Sequence, residues 1–307
     1  MKKKDIMLSV LLVILWGVNF TVIKLGLSGV PSMLLVTLRY LLSTFPAIFF
    51  IKKPKTELKY IILYGLTVGV GQFSCLFYAM QIGMPAGIAS IVLQTQAFIS
   101  PVLAMIFLNE KLNAKQIIGF IVSAIGLIFI AMASIGNNIN NVPVLAFILM
   151  IAAPTFWAVS NIIARIASDK AATKGEKLNM VSMVVWSGLI PPIPMLGLAL
   201  MLDTPETLLG ILKNLSGTSI FAVLYLAYGA TLIGYGIWSI LIAAYPLNMV
   251  TPIPLMVPIV ALLSARIVLT EQLSPLQWTG FIVILTGLAI ANLNMKMIKN
   301  IFIKSKM

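Results

Sequence analysis

The chain has 307 residues, of which 60% are hydrophobic and 9% charged, with a formal net charge of +13. A soluble domain carries about a quarter charged residues, so this composition excludes a water-facing globule and points to one embedded in lipid. There is no histidine and one cysteine, Cys75. That rules out an internal disulfide and a thiolate metal cage, and removes the commonest general base and proton shuttle.

A helix needs about 20 apolar residues to span a bilayer. Ten stretches qualify: 6–26, 31–51, 59–80, 86–108, 115–134, 143–164, 178–201, 218–241, 247–269 and 275–294. Clusters of Pro, Gly and Lys mark the breaks. The weakest break follows the eighth stretch, where Ala243-Ala244-Tyr245-Pro246 is nearly free of charge. Lys2-Lys3-Lys4 before an apolar run mimics a signal peptide. The run is long, carries Asn19 and Lys24 and lacks a small-residue cleavage pattern, so it reads as a retained first span.

Span one places Trp16, Phe20 and Lys24 four residues apart on one helix face, with Asn19 beside them. Span two holds Arg39, a cation whose insertion costs roughly 2.5–3.5 kcal/mol. It is suited either to a carbonyl partner or to a substrate carboxylate. Span three adds Gln72 after Gly69 and Gly71. Span four puts Ser90, Gln94, Ala97 and Pro101 on one face. Gln96 lies about 200° around the helix from Gln94, so Gln94 is assigned to the cavity and Gln96 to a tie between helices.

Span six repeats the pattern of span one with Trp157, Asn161 and Arg165, and Ser160 alongside. Lys24 and Arg165 lie near opposite surfaces and are expected to snorkel. Span eight carries Tyr235 and Trp238 around Gly234 and Gly236. Span nine carries Pro252, Pro254 and Pro258, which free backbone carbonyls and kink or break a helix. An amide facing lipid would cost several kcal/mol, so the span amides face either neighbouring helices or a wet cavity. The substrate-binding candidates are Trp16, Asn19, Gln72, Gln94, Trp157, Asn161, Tyr235 and Trp238. No span has a central carboxylate, and no nucleophile–base pair or metal set is visible, so neither an enzyme nor a cofactor is expected.

The chain also contains itself twice. Residues 109–127 match residues 270–288 at nine of nineteen positions, an offset of 161. The shared frame is Glu110 and Glu271, Leu112 and Leu273, Gln116 and Gln277, and Gly-Phe-Ile-Val starting at Gly119 and Gly280. Gly126 and Gly287 follow seven residues after these glycines, a spacing that suits close helix packing. Lysines fall in alternate loops: the N-terminus, 52–59, 111–115, 170–177 and the C-terminus. Stretches 81–87 and 134–142 carry no charge. That alternation puts both termini in the cytoplasm. It also accounts for the positive charge without a nucleic-acid partner. Two halves of five spans, 1–138 and 139–307, are then inserted in opposite senses, an arrangement concentrated among transporters. The expected fold class is thus an all-α integral membrane protein of ten transmembrane helices in two inverted five-helix repeats. The sequence sets no oligomeric state.

Two halves that each end in Glu-x-Leu, Gln and Gly-Phe-Ile-Val resemble the drug/metabolite transporter superfamily. Within it, Trp16–Leu27 (WGVNFTVIKLGL), Gly83–Phe98 (GMPAGIASIVLQTQAF), Val185–Pro194 (VWSGLIPPIP) and Ile233–Trp238 (IGYGIW) are similar to the EamA family, in particular its exporters of cysteine and O-acetylserine. The resemblance covers the whole chain. It departs at Asn109 and Thr270, where many members have Gly before the glutamate. It implies export of small amino acids and their derivatives across a bacterial inner membrane, by alternating access at the repeat interface. Another metabolite or drug is the alternative cargo.

Overall fold

A computed structural model describes residues 1–109, 111–112, 114–135, 142–245, 250 and 253–292. These are helical throughout, with no strand among the described residues. The reason is the solvent: with no water to satisfy backbone groups in lipid, a helix is the spanning structure an apolar segment can form by itself.

Helices α1 (Lys3–Leu27) and α2 (Ser32–Ile48) lead into α3 (Leu58–Gln81), α4 (Ala86–Leu108) and α5 (Ala114–Ile135). The second part opens with α6 (Val144–Thr173). Next comes α7, a pair of helices, Met180–Ser187 and Pro192–Leu202, bent by 40°. A short helix, α8 (Pro205–Lys213), then forms in the stretch read as a loop, with the Thr204 hydroxyl accepting from the Thr207 N–H at its start. Helices α9 (Gly217–Leu241), α10 (Ile253–Leu269) and α11 (Pro275–Ala291) complete the order. Six helices are long and apolar enough to cross a membrane: α1, α3, α4, α5, α6 and α9, or seven counting the bent pair as one span. Large apolar side chains face outward, with Phe50 87% and Met201 82% exposed, as a lipid solvent allows.

Three helices depart from α geometry near their middles. A π-helical segment runs through Gly65–Gln72 in α3 and another through Tyr225–Ile233 in α9. With the 161-residue offset these two segments coincide to within a residue. Helix α4 is interrupted at Gln94–Thr95, where N–H groups reach back three residues instead of four. Its counterpart α10 begins with a 3₁₀ turn at Ile253–Met256. The prolines of span nine pointed to the second break. Nothing in the sequence reading pointed to the first, or to the π turns.

Helices α5 and α11 pack backbone to backbone. A Cβ placed on Gly126 would lie 2.6 Å from the Gly280 carbonyl oxygen, and one on Gly280 2.6 Å from that of Gly126. Gly119 and Gly287 oppose each other in the same way at 2.5 Å. The repeat exchanges these contacts: Gly119 corresponds to Gly280, and Gly126 to Gly287. Ser123 donates to the Ile284 carbonyl at 3.3 Å, and these two residues are each other's counterparts. Such reciprocity marks a local two-fold axis, and the opposite running of the pairs places it across two antiparallel helices.

At one end of the molecule, Lys55 pairs with Glu176 at 3.2 Å, and Glu57 pairs with Lys59 at 2.7 Å and Lys170 at 3.7 Å. The stretches 52–59 and 170–177, both Lys-rich, therefore share a side. Lys59 holds the exposed Glu57 carboxyl below its usual range through their hydrogen bond. Repeated Gln277 serves a helix end. Its side chain accepts from the Ser274 N–H at 2.8 Å while the Ser274 hydroxyl accepts from the Gln277 N–H at 3.2 Å, a capping box at the start of α11.

Asn109 and Thr270 are repeat counterparts and the two non-glycine residues with positive φ among those described, at 54° and 56°. Each ends its helix in the left-handed region that favours Gly. Asparagine tolerates it, whereas a β-branched threonine is strained. Thr270→Gly is therefore expected to raise stability by about 1 kcal/mol in unfolding of the purified protein. A fall would mean that the Thr270 hydroxyl bond to the Leu269 carbonyl, at 2.7 Å, outweighs the strain.

A cavity between the two halves

A cavity of about 70 Å³ lies where α1, α2, α3 and α4 meet α6, α9 and α10. Each broken helix contributes to it. The π turn of α3 ends on Gln72, which lines the wall, and that of α9 frees the Ala230 carbonyl, which accepts from the Trp16 indole N–H at 3.1 Å. The break in α4 presents Gln94, whose Nε2 donates to the Pro254 carbonyl in the 3₁₀ turn of α10 at 3.0 Å. Non-helical backbone at bilayer depth is thus buried against protein or set at the cavity.

Six of the eight candidates line this cavity: Trp16, Asn19, Gln72, Gln94, Trp157 and Tyr235. Trp16 is fixed on three sides, by Ala230, by the Tyr235 ring at 5.5 Å and by the Trp238 ring at 5.9 Å. Trp238 therefore stands behind Trp16 and does not line the cavity. Asn161 also lies outside the lining. Its Nδ2 donates to Gln96 Oε1 at 3.1 Å and to Ser100 Oγ at 3.2 Å, joining α6 to α4. The paired amides of spans one and six thus have different surroundings. Asn19 Oδ1 is buried with no partner, whereas Asn161 is bonded across helices.

The lining includes residues outside the candidate set: Phe20, Phe73, Pro254 and Arg39. Arg39 is 4% exposed. Its Nε donates to Thr231 Oγ1 at 3.1 Å, and its guanidinium carbon lies 4.3 Å from the centre of the Phe73 ring. A cation at bilayer depth was the available signal for Arg39. Phe20 had its place on the Trp16 face of span one, and Phe73 had none beyond being aromatic in a span.

The two cations expected to snorkel differ. Arg165 is exposed and pairs with Asp169 at 3.1 Å. Lys24 instead turns inward, donating to the Met80 carbonyl at 2.7 Å and the Met84 carbonyl at 3.4 Å, so it caps the C-terminal end of α3. A few residues along the chain, Glu271 caps the next helix. Its two oxygens accept from the Ala86 N–H at 2.8 Å and the Gly87 N–H at 3.0 Å, the first donors of α4. Pro85 occupies the cap position and has no side-chain acceptor, so a carboxylate from the other half of the chain takes that role. Its repeat partner, Glu110, lies outside the described residues.

Donors, acceptors and aromatic faces converge on the cavity without a nucleophile beside a base. Among the described residues, no group of three or more His, Cys, Asp and Glu is placed to hold a metal. A mostly apolar cavity holding a few polar groups, set between two related helical halves, fits a transporter's architecture.

The chain belongs to the EamA-like transporter family, whose profile matches residues 3–132 and again residues 144–293. It is 41% identical over 290 residues to a protein of Escherichia coli (strain K12) described as a probable amino-acid metabolite efflux pump, covering 94% of this chain and 95% of that one. A Salmonella typhimurium protein of the same description matches at the same identity and coverage. A probable terminal-alkyne amino-acid exporter of Streptantibioticus cattleyicolor is 24% identical over 295 residues, 94% of this chain and 93% of that one. A crystal structure with 16% identity superposes with a TM-score of 0.61 over 95% of this chain and 97% of the other, and so shares the fold.

Removing the Glu271 carboxylate leaves two N–H groups of α4 without their acceptor. Glu271→Ala is expected to destabilise the purified protein by about 1–2 kcal/mol, and Glu271→Gln by less. Equal losses would show that the charge, and not the hydrogen bonds, makes the contact.

Proposed function

We propose that this protein exports small amino acids and their derivatives, cysteine and O-acetylserine among them, across a bacterial inner membrane by alternating access. The six long helices, the bent pair α7 and the shorter apolar helices α2, α10 and α11 are the ten spans of this reading. They form two inverted five-helix halves, 1–138 and 139–307, with both termini cytoplasmic. The antiparallel, reciprocal packing of α5 on α11 supports the inversion. The ion pairs joining two Lys-rich loops support their placement on one face. Reporter fusions at Lys55 and Thr204 are expected to read cytoplasmic and external. The same reading at both sites would remove the ten-span arrangement.

The observation that carries the export reading is the cavity between the matched segments, taken with the descriptions of the 41%-identical relatives. At about 10–15 Å³ per water, its volume holds roughly five waters, the bulk of a small amino acid. Aromatic faces from both halves and amides from the first surround that volume, which suits a compact polar solute better than a large drug. A pair of half-sites on inverted repeats can be exposed to each side in turn.

The test is uptake of labelled cysteine and O-acetylserine into inside-out vesicles. Wild-type vesicles should accumulate label above vesicles lacking the protein. Asn19→Leu should lower the rate about two- to thirty-fold, the value of one amide bond in a membrane, at unchanged abundance. Gln94→Leu should lower rate and abundance together, because it also unties the bond to Pro254. A loss of abundance with Asn19→Leu matching the loss of rate would make Asn19 a packing residue.

A further inference from the structure

Among the described residues, four side-chain polar atoms are buried without a hydrogen-bond partner: Asn19 Oδ1, Ser32 Oγ, Arg39 Nη1 and Gln72 Oε1. Three of the four belong to residues that line the central cavity. Asn19 is 8% exposed, and Arg39 and Gln72 are 4% exposed. Buried polar groups in a native interior are nearly always paired, and those that are not call for an explanation. In lipid the penalty is larger, because water is not at hand.

The three atoms are chemically unequal. Arg39 Nη1 is a donor on a fixed cation, whereas Asn19 Oδ1 and Gln72 Oε1 are neutral acceptors. A cationic donor and two neutral acceptors on residues lining one cavity are the complement of a zwitterion, with its carboxylate at one end and its ammonium at the other. We propose that Arg39 binds the carboxylate of the transported solute and that the side-chain carbonyls of Asn19 and Gln72 receive its ammonium. The substrate class is then an α-amino acid with both groups free. This rests on the export reading and assigns the residues that would recognise the cargo.

The surroundings of Arg39 support the assignment. No Asp or Glu among the described residues lies within ion-pair distance of it. A lone cation in a low-dielectric interior is expensive, and an isolated charge of this kind is usually kept for function. Its environment holds it in place without neutralising it: Phe73 covers one face of the guanidinium, and Thr231 takes the Nε proton. Thr231 is itself set by the π turn of α9, donating to the Leu226 carbonyl five residues back at 2.8 Å. The open end of a planar fork held this way matches a carboxylate, which a lysine would meet only as a point charge. A rival account exists on the same residue. A hollow of about 10 Å³ beside Arg39, walled by Tyr40, Tyr64 and Ser187, has room for about one water that could hydrate it.

The experiment is counterflow of labelled L-cysteine in proteoliposomes under reductant, with three competitors: L-cysteine, L-cysteine methyl ester and N-acetyl-L-cysteine. The ester lacks the carboxylate charge and the acetyl compound lacks the ammonium. On the wild-type protein each is expected to compete roughly tenfold or more weakly than L-cysteine. In Arg39→Gln, transport should fall by roughly tenfold or more, and the residual flux should no longer distinguish acid from ester, while still rejecting the acetyl compound. Arg39→Lys should fall between the two. If Arg39→Gln does not fold, judged by a monodisperse elution profile, Arg39→Lys and the wild-type competition decide the question.

Full acid-over-ester preference in a folded Arg39→Gln variant would overturn the proposal in favour of hydration of a structural cation. So would a wild-type protein that treats acid and ester alike. Either result leaves the export reading standing. Wild-type liposomes that move neither L-cysteine nor O-acetylserine nor any other free amino acid would overturn the export reading, and this assignment with it.

Discussion

Lipid offers no hydrogen bonds, so each polar group that this chain carries to bilayer depth must be matched within the protein. Continuous helices do this for most of the backbone. Where they stop being α-helical, other groups take over. The Ala230 carbonyl in a π turn accepts from Trp16, the Pro254 carbonyl in a 3₁₀ turn accepts from Gln94, and the Leu226 carbonyl accepts from Thr231. These substitutions crowd around the one region where α3, α4, α9 and α10 lose regularity, and the cavity opens there. The irregular backbone and the cavity coincide, because non-helical backbone at bilayer depth is tolerated where it is buried in protein or lines a hollow.

The repeat adds a second constraint. Contacts of α5 and α11 exchange under the 161-residue offset, with Ser123 and Ile284 meeting on the axis. Symmetric backbones carry unlike side chains, however. Gln94 bonds across the axis to the turn that contains its counterpart, Leu255. Asn19 lines the cavity with its buried Oδ1 unpartnered, while Asn161 is bonded to Gln96 and Ser100. The framework is thus shared between the halves, and the chemistry is concentrated on the first. Three of the four unpartnered buried atoms line the cavity, and all of them come from α1, α2 and α3.

At the ends of the helices, Lys24 and Glu271 show how charge is used sparingly. Lys24 takes up carbonyls where α3 ends, and Glu271 takes up N–H groups where α4 begins. Each charge complements the helix dipole it faces. Because Glu271 reaches from the second half to the first, its contact ties the two halves together at the start of α4.

The helical class, the six long apolar spans, the repeat and the glycine seam were legible in the residues themselves, because hydropathy and an exact offset are local or one-dimensional signals. So were six of the residues that line the cavity, since an amide or tryptophan in an apolar span has few places to go. Which way each one turned was not. Asn19 follows Trp16 by three residues and Asn161 follows Trp157 by four, and only the neighbours met after packing separate the unpartnered amide oxygen from the bonded amide. Trp238 reads like Trp16 in sequence and stands behind it in space. The break at Gln94–Thr95 and both π turns carry no proline to announce them, since a helix yields there only when a partner across the cavity takes the freed group. The tertiary structure also decided that Arg39, an anomalous charge by sequence, lines the same cavity as Asn19 and Gln72. A cation's role at that depth depends on what surrounds it, and residues distant in sequence supply those surroundings.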